Sequence, residues 1–240
     1  YKFSEKSALA ADAMLKDVDY EDARIGSLVP YSDIRLRVTL SHNFSRINKA
    51  YIRASARSYE PDNTLIIAPL DVDGAALSAG IEHRFSETAR IRAEIGVEES
   101  EPAGRDSDQN VIWDVNFVKN TQTMTMLAQY KRNIISSGNG FLSERDSLNL
   151  SLRRSFSERL TGGLAARAYR SEGVGGASIL GERDYLQFGA QLAYALSRTL
   201  SVQADYRYTD RDRGVESGTA KSNSLFVWFI YRPNAWRASR

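Results

Sequence analysis

The 240-residue chain has no cysteine, five prolines and two histidines, and its longest unbroken apolar run is the seven residues from Leu225 to Tyr231. Without cysteine there is no disulfide scaffold, no thiol nucleophile and no Cys-ligated metal. A membrane helix needs about 20 apolar residues, so no helix spans a bilayer here. Charge of one sign is lacking too. The 32 Lys and Arg against 30 Asp and Glu leave +2, which gives no global footprint for nucleic acid and no polybasic anchor. The chain opens on no basic, apolar leader, so either a signal has been removed or the numbering starts inside a longer protein, and destination is left open. With 42% apolar and 26% charged residues, the composition is that of an ordered domain.

What is present is a repeat. Phe3-Ser4-Glu5-Lys6, Phe44-Ser45-Arg46-Ile47, Phe85-Ser86-Glu87-Thr88 and Phe156-Ser157-Glu158-Arg159 recur, with looser copies at Val118-Lys119-Asn120-Thr121 and Leu196-Ser197-Arg198-Thr199. Their first positions lie 41, 41, 33, 38 and 40 residues apart, room for two strands of about ten residues, a tight turn and a longer loop. The flanks alternate with period two: Ile34, Leu36, Val38 and Leu40 interleave with Arg35, Arg37, Thr39 and Ser41. The pattern predicts twelve strands, near 7–17, 33–43, 49–59, 74–85, 89–99, 110–118, 122–132, 146–156, 159–170, 184–196, 199–209 and 222–232. Tight turns alternate with loops rich in Gly, Asp, Ser and Pro, including Pro61 to Asp73, Glu172 to Glu182 and Asp210 to Lys221.

Strand length, the alternation of short and long connections, and aromatics at strand ends favour a bilayer over a soluble sandwich. Phe44, Phe85, Phe117, Phe156, Tyr194 and Tyr231 mark a lipid interface toward the short turns, and Trp113, Tyr130, Tyr206 and Tyr208 a higher one. The opposite face is charged, which a water-filled lumen solvates at little cost. The expected fold is all-β, an antiparallel up-and-down transmembrane barrel of at least 12 strands. Tyr1-Lys2-Phe3 matches the foot of a strand entering a turn, so residues 1–240 form a single barrel domain or the C-terminal part of a larger one of even strand number.

By parity the lumen carries thirteen cations: Lys16, Arg35, Arg37, Arg53, Arg57, Arg84, Arg90, Arg92, Lys131, Arg153, Arg167, Arg207 and Arg232. It carries six anions: Asp12, Glu82, Glu94, Glu98, Asp114 and Asp205. A salt-bridge ladder absorbs part of this set, with Glu82 expected opposite Arg92. Arg35, Arg37, Arg53 and Arg57 read as four arginines on adjacent strands with no acid between them, either an anion-attracting wall or a surface for lipid A phosphates or upstream strands. In the last strand Phe226, Trp228 and Ile230 fall inward, so either they meet an inward-folded loop or the parity slips.

Enzymatic chemistry is not expected. His42 and His83 share the apolar face with Phe44 and Phe85 at the short-turn end, a strand apart and without acids, which argues against general acid/base work, a metal site or any cofactor. Gly138-Asn139-Gly140 and Gly173-Val174-Gly175-Gly176 lack the strand-to-helix context of phosphate loops, and Asn43-Phe44-Ser45 and Asn149-Leu150-Ser151 match glycosylation sites by chance.

On the Phe-Ser-Glu turns, Val18-Asp19-Tyr20-Glu21-Asp22, Leu200 to Tyr208, and Ser222-Asn223-Ser224-Leu225-Phe226 with Tyr231-Arg232, the chain resembles the outer-membrane β-barrel porins of the porin-2 type, found with exopolysaccharide gene clusters in Gram-negative bacteria. It departs from that pattern where Pro233 to Arg240 follow the last strand. The resemblance implies an outer-membrane channel exporting an anionic polysaccharide or passing small anions. Implied partners are outer-membrane lipid, lipopolysaccharide and periplasmic export components, with oligomers allowed. A plugged structural or partner-binding barrel is the alternative.

Overall fold

The computed structural model describes residues 1, 3–20, 29–62, 71–136, 141–174, 182–212 and 218–232. Twelve strands follow in chain order: β1 (Ser7–Val18), β2 (Tyr31–Asn43), β3 (Asn48–Pro61), β4 (Val72–Ser86), β5 (Ala89–Pro102), β6 (Asp108–Asn120), β7 (Met124–Ser136), β8 (Leu142–Ser155), β9 (Leu160–Gly173), β10 (Arg183–Ala195), β11 (Leu200–Asp212) and β12 (Thr219–Tyr231). Each pairs antiparallel with its chain neighbour in one sheet ordered β1 to β12, and no helix occurs among the described residues. The fold is the expected all-β, up-and-down meander. Most strands run a few residues further than expected at the long-loop end, because their polar upper ends carry no apolar alternation to mark them. The glycine loops from 138 and 175 onward, Glu21-Asp22 and Pro233 to Arg240 lie outside the described residues.

The repeated serine has a physical role. At the tight turns its Oγ accepts two backbone N–H groups that the ladder leaves unpaired. Ser45 takes Ile47 (3.2 Å) and Asn48 (3.0 Å), Ser157 takes Arg159 (3.3 Å) and Leu160 (3.1 Å), and Ser197 takes Thr199 (3.2 Å) and Leu200 (3.0 Å). Thr121 does the same for Met124 at 3.0 Å in the degenerate copy. The turn fixes the register, and a one-residue slip would send every side chain to the other face.

The two faces differ as the alternation requires. Leu36, Ile52, Leu77, Ile95, Leu164 and Leu192 stand exposed on one face. The other is concave: Arg57 on β3 donates through Nη1 to the Ile134 carbonyl on β7 at 3.4 Å, four strands away. At the long-loop end Tyr31, Tyr59 and Val72 of β2 to β4 pack against Ile134 and Leu142 of β7 and β8. This small cluster is the main buried apolar contact among the described residues, so the usual arrangement of a soluble domain, apolar inside and polar outside, is inverted. The β6–β7 pairing ends at Trp113↔Arg132, which frees the top of β7 to join the cluster.

The β11–β12 register runs without a slip from Leu200↔Tyr231 to Asp212↔Thr219. Phe226 and Trp228 therefore do lie on the concave face, stacked at 5.8 Å and each 51% exposed. The alternative of a parity shift is set aside by this register.

Candidate functional site: the charged concave face

The concave face divides into two halves. In the first, over β1 to β7, most of the arginines are matched with acids. Arg57 holds Asp33 through two hydrogen bonds, Nε to Oδ1 at 3.0 Å and Nη2 to Oδ2 at 2.7 Å. Both side chains are buried, at 4% and 3% exposed, and Arg35 lies 4.0 Å from the same carboxylate. Arg53 donates to Glu94 at 2.7 and 2.6 Å. That carboxylate also accepts the Tyr51 hydroxyl at 2.8 Å and the Ser78 hydroxyl at 2.7 Å. Arg37 approaches Asp12 at 3.9 Å.

The sequence expectation that Arg35, Arg37, Arg53 and Arg57 have no acid between them is therefore corrected. Asp33 sits two residues before Arg35 on the same face, and the parity count leaves it out because the expected strand began at that residue. Glu94 reaches Arg53 across β4, where Ser78 stands opposite Arg53 and donates to the same carboxylate, while Tyr51 lies opposite Gly80. A Cβ there would stand 2.3 Å from Tyr51 Cζ, and this space lets the Tyr51 ring cross β4 to reach β5.

The ladder continues in altered pairings. Glu82 does stand opposite Arg92 in register, yet Glu82 pairs with Arg84 (3.5 Å) and Arg92 with Asp114 (3.4 Å). Gln129 donates to the same Asp114 at 3.1 Å. Arg90 is exposed at the turn end, with no ion pair among the described residues.

The second half, over β7 to β12, is different. A cavity there is lined by Gln129, Asn149, Gln187 and Gln191 together with Arg153, Arg167 and Arg207 and one acid, Asp205, which accepts from the Gln203 amide at 2.9 Å. These three arginines are exposed and have no ion pair among the described residues. Arg167 donates to Asn149 Oδ1 at 3.1 Å. Gly163 opposes Arg153 and Gly189 opposes Arg207 across the strands, so small residues leave open space beside each guanidinium. Above them a stack caps this half: Arg145 lies over Tyr169 (4.4 Å), Tyr169 stacks on Tyr185 (4.8 Å, 17°), and Arg211 lies over Tyr185 (5.3 Å). Parity alone would have placed Arg145 and Arg211 here had the strands been extended upward.

On the convex face Phe44, Phe85, Phe156, Tyr194 and Tyr231 are exposed at the short-turn end. His42 and His83 stand edge-on to Phe44 (4.9 Å) and Phe85 (4.7 Å). Their Nδ1 atoms are engaged at Ser7 Oγ (2.9 Å) and Asn48 Oδ1 (2.7 Å) on the neighbouring strands. Among the described residues no group of three or more His, Asp or Glu is arranged to hold a metal. At the opposite end of this face, above Trp113 and Tyr130, the surface turns ionic. Arg132 pairs with Asp146 and Glu144, Arg170 with Asp184 and Glu182, and Lys221 with Asp210.

Among solved structures the chain is similar to the β domain of the Bordetella autotransporter BrkA, at 12% identity and a TM-score of 0.42, covering 95% of this chain and 100% of that one. It is also similar to the KdgM porin (11%, 0.32, covering 95% and 99%) and to OmpT, an outer membrane protein of Vibrio cholerae (9%, 0.40, covering 94% and 95%). No protein-family model matches the chain, and no curated protein matches it.

Proposed function

We propose that this protein is an outer-membrane channel of Gram-negative bacteria whose lumen is the concave face and whose preferred cargo is anionic. The observation that carries the reading is the inverted packing. Leu77, Ile81 and Ile95 are each more than 60% exposed on the convex face, whereas buried charge pairs such as Arg57–Asp33 lie on the concave one. Lipid covers the first at no cost and water fills the second. Strands of 12 to 15 residues exceed the roughly 9–11 needed to cross a tilted bilayer. The excess lies above the aromatic level, where Arg132, Arg170 and Lys221 pair with acids at the height of the lipid headgroups.

Anion preference rests on Arg153, Arg167 and Arg207, because an unpaired guanidinium keeps its field while a paired one is neutralised. The conducting route runs along β7 to β12, beside the pinch made by Tyr59 and Ile134. The porin-2 resemblance gives the cargo as an anionic polysaccharide on export or small anions. The lining suits a channel rather than an enzyme, since both histidines are engaged at the short-turn end of the convex face.

The second reading, a plugged barrel without transport, is favoured by the apolar cluster that closes the mouth of the first half. Conductance of the purified protein in planar bilayers separates the two. Steady single-channel steps are expected, and Tyr59→Ala is expected to enlarge them. An absence of steps in correctly folded, heat-modifiable protein would favour the plugged barrel.

A further inference from the structure

The first half of the concave face holds a cavity of its own, of about 110 Å³, separate from the one beside Arg153, Arg167 and Arg207. Roughly 10–15 Å³ admits one water, so this space takes a polyatomic ion. Its floor is made of small residues. One row of the ladder, Arg37↔Ser55↔Ala76↔Glu98, crosses it from β2 to β5, with Gly74 beside Ala76 and Lys131 of β7 on the far wall. The charges around it are unevenly satisfied. Arg57 is held by Asp33, Arg53 by Glu94, and Arg92 pairs with Asp114. Arg35, Arg37 and Lys131 line the cavity and make no side-chain hydrogen bond among the described residues. Arg35 stands 4.0 Å from Asp33 and Arg37 3.9 Å from Asp12, too far for hydrogen bonds. Glu98 lines the same space, with Arg35, Arg57 and Lys131 near it. Its carboxylate accepts no hydrogen bond and joins no ion pair among the described residues.

We propose that this cavity is a binding site for hydrogen phosphate. Its ligand must bring acceptors for three cations, Arg35, Arg37 and Lys131, and one donor for Glu98. Three cations against one carboxylate leave a positive excess, which selects an anion. Phosphate keeps at least one proton at neutral pH. Its unprotonated oxygens accept from Arg35, Arg37 and Lys131, and its P–OH group donates to Glu98. Each guanidinium presents a fork of N–H donors that matches two oxygens of such an anion. Sulfate has the same shape and no proton at that pH. One of its oxygens would face the Glu98 carboxylate with no hydrogen between them, and a polar group left unpaired there keeps its full desolvation penalty. Glu98 is therefore the residue that tells the two anions apart. The site stands apart from the cavity of Arg153, Arg167 and Arg207, and it holds its ligand whether or not the barrel conducts.

Equilibrium dialysis of the complete protein in detergent at neutral pH, with radiolabelled inorganic phosphate and sulfate as the probes, tests the site. One phosphate per chain is expected, bound at least about tenfold more tightly than sulfate. Glu98→Gln places an amide donor where the carboxylate stood, and it is expected to erase or reverse that preference while anion binding persists. Lys131→Gln is expected to weaken both anions about tenfold or more in protein that still shows heat-modifiable migration. The triple change Arg153→Ser, Arg167→Ser and Arg207→Ser is expected to leave phosphate binding unchanged. The proposal is overturned by no saturable phosphate binding, or by equal affinity for the two anions in the unsubstituted protein. A preference untouched by Glu98→Gln, binding untouched by Lys131→Gln, or phosphate binding lost with the triple change overturns it too. If Glu98→Gln does not fold, Lys131→Gln and the phosphate-to-sulfate ratio of the unsubstituted protein decide the matter. Phosphate binding in a barrel that gives no single-channel steps counts against the transport reading and leaves this site standing.

Discussion

The buried pair Arg57–Asp33 offers the sharpest energetic test, because it sits on a face that is otherwise wet. Asp33→Ala removes both hydrogen bonds, at 3.0 and 2.7 Å, and leaves Arg57 with only the Ile134 carbonyl at 3.4 Å. Arg35, 4.0 Å from the lost carboxylate, then has Glu98 as the acid that it shares with Arg57. Removing one partner of a buried pair costs about 3–5 kcal/mol, since the remaining charge keeps its desolvation penalty. The comparison is Asp184→Ala, which breaks the exposed Arg170–Asp184 pair, 57% and 48% exposed. An exposed pair is screened by solvent and contributes little. Urea unfolding in phospholipid vesicles, followed by the fluorescence of the three tryptophans, should therefore give a much larger loss for Asp33→Ala than for Asp184→Ala. The double replacement Asp33→Leu with Arg57→Met should recover most of the loss, because it removes both charges together. Equal losses for the two single variants would refute the assignment of a desolvated pair.

Other expectations concern the faces, the crossing tyrosine and the turns. Leu164→Arg, on the convex face, should cost about 2–4 kcal/mol near the bilayer midplane, whereas Ala165→Arg on the concave face should cost much less; equal costs in folding titrations would break the face assignment. Gly80→Ala should push the Tyr51 ring off β4 and separate it from Glu94. Loss of the ring current that Tyr51 exerts on β4, read by NMR in detergent micelles, would show this, and an unchanged spectrum would contradict it. Ser45→Ala and Ser157→Ala should each cost about 0.5–1.5 kcal/mol by removing the acceptor of two turn amides. Stability indifferent to both would deny the repeated serine its role.

Much of this architecture is legible in the residues because a barrel wall is a local code. Period two in Ile34 to Ser41 sets the faces, and the recurring serine sets the turns, so strand number and the Glu82↔Arg92 register follow without long-range information. Which charges neutralise which does not follow. Arg53 meets Glu94 across a whole intervening strand, where Gly80 makes room for the Tyr51 ring on the same carboxylate, and Asp33 is recognised as a partner only once β2 is seen to begin before it. The cluster of Tyr31, Tyr59, Val72, Ile134 and Leu142 depends on the curl of the whole sheet, which no window of alternation encodes. Arg153, Arg167 and Arg207 are visible as inward arginines in the sequence, but their lack of acidic partners emerges only when the pairs elsewhere are assigned.

The central claim is tested most directly by the reversal potential of the reconstituted protein in a planar bilayer across a potassium chloride gradient. The account predicts a value displaced toward the chloride equilibrium potential. That displacement should shrink as the ionic strength rises and the Debye length falls from about 10 Å at 0.1 M to about 3 Å at 1 M. The triple change Arg153→Ser, Arg167→Ser and Arg207→Ser should move the potential toward cations, whereas Arg37→Ser should shift it little. A potential that is cation-selective in the unsubstituted protein, or unmoved by the triple change, would contradict an anion route along β7 to β12.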